Sequence, residues 1–186
     1  MWFFYTVILG MAFGRVLQEL AIATRDWRHG TRRAFAPAML WQVFLLALIV
    51  QVWLAVKEAV TSPDISVLSL LAFLAVPSGI LVMSFLLPLS DLDPDDDPEA
   101  AFGRVRPLFF GVLIGMVGIN LLHTFLLGQR GFDRDLLFQC LMVAGGMTGL
   151  FLRRTRADVV LAVVMTVVVV IYIALGYSTV AVGSPS

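Results

Sequence analysis

The chain has 186 residues, 60% of them hydrophobic and 14% charged, with equal numbers of basic and acidic side chains and a net charge of zero. A soluble domain carries about a quarter charged residues, so a water-facing globule is excluded, and the absence of net charge gives no expectation of a nucleic-acid partner. The single cysteine, Cys140, excludes an intramolecular disulfide and a cysteine-rich metal centre; no metal and no cofactor is expected.

Long apolar runs predict helices at about 2–23, 37–57, 65–88, 107–128, 135–152 and 157–180. Each is close to the ~20 residues needed to cross a ~30 Å hydrocarbon core. The expected fold is therefore all-α: a polytopic transmembrane helix bundle of about six spans, forming a single domain over 1–186. The lipid bilayer is its expected partner. The first run ends in Ala21-Ile22-Ala23, which looks like a signal-peptide cleavage site. It lacks a basic leader, and Arg15, Gln18 and Glu19 interrupt the approach to the site, so helix 1 is read as a retained span.

Ionisable groups at membrane depth are costly and mark functional candidates. On helix 1, Arg15 and Glu19 lie four residues apart and share a face. Gln42, near the start of helix 2, is expected at a similar depth, giving an inner polar group of three. Gln51 on helix 2, Asn120 and His123 on helix 4 and Gln139 on helix 5 are expected in the opposite half. Arg15, Glu19, Gln42, Gln51, Asn120 and His123 are the candidate transport residues. An ion pair that locks packing, and a histidine that satisfies an interhelical hydrogen bond, account for the same residues without transport.

Helix 3 carries Pro77-Ser78-Gly79 near its middle, where proline removes a backbone donor and bends a helix. The stretch 90–103 contains Asp91, Asp93, Asp95, Asp96, Asp97 and Glu99 with two prolines. Its spacing fails the calcium-loop pattern, because Asp96 and Phe102 stand where glycine and glutamate are needed. It is read as a solvated cytoplasmic linker. Gly10 and Gly14, Gly111 and Gly115, and Gly145 and Gly149 are three GxxxG pairs, expected to pack helices within one chain or between subunits.

Basic residues set the expected orientation. Arg25, Arg28, Arg32, Arg33, Arg104, Arg106, Arg153, Arg154 and Arg156 fall on one side; Lys57, Arg130 and Arg134 fall on the other. The richer side is expected to face the cytoplasm, which places both termini on the non-cytoplasmic face of a multi-pass cell-membrane protein, with a bacterial inner membrane as the natural setting. Leu40-Trp41-Gln42-Val43 beside Leu137-Phe138-Gln139-Cys140 hints at a weak 3+3 inverted repeat, a plan common among transporters, although short apolar matches also arise by chance.

Four places carry a family resemblance: Ile8 to Arg15, Trp41 to Trp53, Arg104 to Phe110, and Arg153 to Arg156. Through them the chain resembles a group of uncharacterised bacterial six-helix integral membrane proteins. The resemblance implies six spans and carries no activity with it. On the residues alone, a non-enzymatic membrane protein of unspecified molecular task is the first reading, including an accessory subunit of a homo-oligomer or larger membrane complex. A small transporter or channel for an ion or small solute is the alternative.

Overall fold

A computed structural model describes residues 2–29, 36–59, 67–87, 97–126, 134–152 and 154–177. Among them are six helices: α1 (Trp2–His29), α2 (Ala36–Ala59), α3 (Val67–Leu86), α4 (Pro98–Leu126), α5 (Arg134–Phe151) and α6 (Thr155–Tyr177). Arg32, Arg33, Arg130, Arg153 and the acidic stretch through Asp96 lie outside the described residues.

Five of the six helices start within two residues of expectation; α4 does not. It begins at Pro98, nine residues before the expected start at 107. The Asp97 carboxylate accepts the backbone N–H of Glu99 at 3.1 Å and caps the helix. Pro98 takes the first helical position, where its missing donor costs nothing. Residues 98–103 are therefore helix and not linker. The correction carries Arg106 with it: the side chain is a buried group inside α4, not a loop charge.

The helices close into a ring in the order α1, α2, α6, α5, α4, α3, with α3 returning to α1 and α2 also touching α3. The two triplets pack differently. α1 packs against both α2 and α3, whereas its counterpart α4 packs against α5 but not extensively against α6. The ring thus gives no second copy of the first triplet's arrangement.

The surface is apolar and the polar groups point inward. Phe3, Phe4, Phe85, Leu108, Leu122, Phe151, Val160 and Leu175 are all exposed, while Glu19, Gln42, Ser84 and Asp158 are buried. Four segments are long and apolar enough to cross a membrane: Phe3–Arg25, Ala36–Ala55, Pro98–His123 and Thr155–Gly176. The chain is a polytopic membrane protein. Within α3 the apolar stretch Ala72–Leu86 is shorter, and α5 has 18 residues, or ~27 Å of helix. Hydroxyls are neutralised locally: Thr24, Thr148 and Thr166 donate to carbonyls four residues back, and Ser84 to one three residues back.

The largest fully buried side chains of the core meet between α2 and α4. Trp41, Phe44, Phe109 and Phe110 are fully buried, and Trp41 meets the other three rings edge-on at centroid separations of 5.0 to 5.4 Å. Such edge-to-face pairs add ~0.5–1.5 kcal/mol beyond area burial.

Of the three GxxxG pairs, only Gly145 and Gly149 are packing positions inside the chain. A Cβ at Gly149 would enter the Phe110 ring, and one at Gly145 would meet the Met165 thioether. A Cβ at Gly146, between them, would press less closely, on Ile114. Among the described residues nothing stands against Gly10, Gly14, Gly111 and Gly115, because α1 and α4 turn these faces out of the ring.

Candidate functional site

Alternating helix directions bring the start of α1, the end of α2, the start of α3, the end of α4, the start of α5 and the end of α6 to one side of the ring. On this side lies a cavity of about 240 Å³ to which all six helices contribute. Its polar lining is Tyr5, Gln51, Asn120, Asp135, Gln139 and Tyr172. Gln51, Asn120 and Gln139, expected together from their depth, are brought together here. His123, expected with them, is half-buried on α4 one turn beyond Asn120 and does not line the cavity.

Two aromatic pairs wall the cavity. Tyr5 of α1 lies against Phe73 of α3, with ring centroids 4.3 Å apart. Phe138 of α5 stacks on Tyr172 of α6 at 4.1 Å and 20°. The Tyr172 hydroxyl donates to the Asp135 carboxylate at 2.7 Å. That bond fixes the carboxylate at the mouth, where Asp135 is exposed. Arg134, its neighbour, donates to the Leu175 carbonyl at 3.2 Å and is not part of the lining. The Gln139 side-chain oxygen is buried and has no hydrogen-bond donor among the described residues.

Beneath the cavity, Met116 and Met142 lead into the Trp41–Phe109–Phe110 cluster. Beyond that cluster the opposite side is held by polar ties. Arg15 and Glu19 pair at 2.8 Å, as their spacing predicts, and Glu19 is fully buried. The Arg15 guanidinium also stands 5.4 Å from the Phe85 ring of α3. Gln42 donates its amide to the Leu87 carbonyl at 2.8 Å, joining α2 to the end of α3, and its own oxygen has no donor among the described residues.

The strongest tie was not legible as a pair in the sequence. Arg106 of α4 bonds the Asp158 carboxylate of α6, and its Nε donates to the Gly149 carbonyl of α5 at 2.8 Å. One guanidinium thus joins three helices near the end of α5 and the start of α6. Its face is covered by Phe102 and Phe110, each ring centroid 5.8 Å from the guanidinium carbon. Nearby, the Thr155 hydroxyl donates to the Glu99 carboxylate, linking the starts of α4 and α6.

The molecule is therefore asymmetric across its thickness, with a cavity on one side, an aromatic layer at mid-depth and bonded polar groups on the other. No protein-family model matches the chain, and no curated protein or solved structure matches it.

Proposed function

We propose that the protein is a small-solute transporter that receives its substrate in the six-helix cavity. The observation that carries this reading is a cavity to which every helix of a membrane bundle contributes, its largely apolar lining carrying six polar side chains, with the Trp41 cluster beneath it. A site at the meeting point of helices, blocked at one end, is the arrangement alternating access requires. The Arg106–Asp158–Gly149 and Gln42–Leu87 ties act as the closed gate, and the glycines of α5 keep α4 and α5 in close contact there.

The reading is non-enzymatic. With Arg106 removed from the loop charges, eight basic residues stand against three, so the positive-inside argument still points the same way. In this orientation the cavity opens to the non-cytoplasmic side, in a bacterial inner membrane. The open glycine faces of α1 and α4 favour a second reading, in which these helices pack against another copy or a larger membrane partner.

Flux across proteoliposomes tests the proposal. Wild-type protein is expected to give saturable uptake of a solute from a panel of small cations, anions and neutral molecules. Val117→Trp, which fills the cavity, is expected to abolish it while the purified protein remains monodisperse. Glu19→Gln, which leaves Arg15 without its carboxylate on the closed side, is expected to reduce flux and spare solute binding. Absence of uptake across the whole panel, with open glycine faces that crosslink to a partner, would move the assignment to an accessory subunit.

A further inference from the structure

We infer that the cavity selects a small organic cation, an alkylammonium or quaternary ammonium ion; this rests on the solute-site reading above. Three features of the lining point to that class. The first is charge: among the described lining residues Asp135 is the one carboxyl group, and none is a lysine, arginine or histidine. The Asp135 carboxylate is fixed in the lining, whereas the neighbouring Arg134 guanidinium is held outside it on the Leu175 carbonyl, so the lining itself favours positive charge.

The second is the walls. Tyr5, Phe73, Phe138 and Tyr172 supply four rings from α1, α3, α5 and α6. Aromatic rings grouped around a space of this size suit alkylated ammonium ions, whose diffuse charge is weakly hydrated and sits well over the ring face that its aromatic partner leaves uncovered. A sugar or a carboxylate gains less from such rings and needs donor-rich or basic partners.

The third is the acceptor at depth. The buried oxygen of Gln139 has no donor among the described residues and belongs to the lining. The oxygen lies just beneath the lining surface, so a turn of the Gln139 side chain brings it to an N–H of a primary, secondary or tertiary ammonium in the cavity. The Tyr172–Asp135 bond serves the same end: it holds the carboxylate beside the Phe138–Tyr172 stack, so charge and ring face act on one site. The volume of about 240 Å³ limits the ligand to a compact ion.

Calorimetric titration of the full-length protein in detergent tests the inference, with tetramethylammonium, acetate and tert-butanol as probes. Saturable binding of tetramethylammonium at one site per chain is expected, with no binding of acetate and only weak binding of the neutral isostere. Asp135→Asn keeps an oxygen to accept the Tyr172 hydroxyl and is expected to weaken tetramethylammonium about tenfold or more. Phe138→Leu removes a ring without touching charge and is expected to weaken it by a similar factor. Binding of tert-butanol or acetate that equals or exceeds that of tetramethylammonium would overturn the cation assignment and leave the solute site standing. Tetramethylammonium affinity unchanged in both variants would place the ion elsewhere and overturn it as well. If none of the three probes binds, and Gln139→Cys in a Cys140→Ser background resists a water-soluble maleimide, the solute site itself falls.

Discussion

Arg106→Ala is expected to destabilise the protein by about 3–5 kcal/mol, the range found when one partner of a buried ion pair is removed. The loss has three parts in this fold. Asp158 is left as an uncompensated charge in an apolar surround, the Gly149 carbonyl loses its donor, and the space between Phe102 and Phe110 empties. Asp158→Ala is expected to cost about as much, because it strands the guanidinium instead. The double variant Arg106→Leu with Asp158→Leu is expected to be milder than either single change, since no charge is left unpaired. Unfolding in a series of SDS concentrations, followed by circular dichroism, measures all three. A double variant that loses the sum of the two single losses would show that the residues are not coupled, and the clamp would have to be abandoned.

Gly149→Leu is expected to be comparably damaging for a steric reason. Even a methyl at this position meets the Phe110 ring, and Phe110 is fully buried between Trp41 and Phe109, so it has nowhere to move. Overpacking of this kind costs about 1–3 kcal/mol or more. It also shifts the carbonyl that Arg106 holds. Gly145→Ala is expected to be gentler, because its obstacle is the thioether of Met165, which has free torsions to turn away. Gly111→Leu is expected to leave the unfolding midpoint of the isolated chain unchanged, as it meets nothing. The same SDS titration ranks the three, and a Gly111→Leu loss equal to that of Gly149→Leu would contradict the packing described here.

How far the sequence could be read follows from which interactions are local. Helix existence was legible because twenty-residue apolar runs are a property of contiguous sequence. The Arg15–Glu19 pair was legible because the helical repeat alone puts those residues on one face. Depth was legible too: counting residues along each helix put Gln51, Asn120 and Gln139 at one level, where the structure brings them into one cavity.

Lateral order was not legible. Nothing local says that α6 lies between α2 and α5, so neither the Phe138–Tyr172 stack nor the Tyr172–Asp135 bond could be foreseen. The start of α4 was misplaced because two prolines compete for the first helical position. Pro107 follows two arginines that look like loop charges, whereas Pro98 follows the aspartate that caps the helix. Arg106 was consequently counted as a loop residue, and its partner, 52 positions further on, had no reason to be sought.

The ring order also governs how the protein is made. The helix that closes the ring is a keystone: α6 joins α2 to α5, so the circle stays open until α6 has been made. Arg106 is synthesised 52 residues before Asp158, a delay of about 3 to 10 s at ~5–20 residues per second. Throughout that interval the nascent chain carries an unneutralised arginine in α4 and an uncovered flank on α2. A ribosome stalled before α6 would leave a five-helix product bearing both defects. That product would present to membrane quality control a charge at depth and an open seam, which the finished chain conceals.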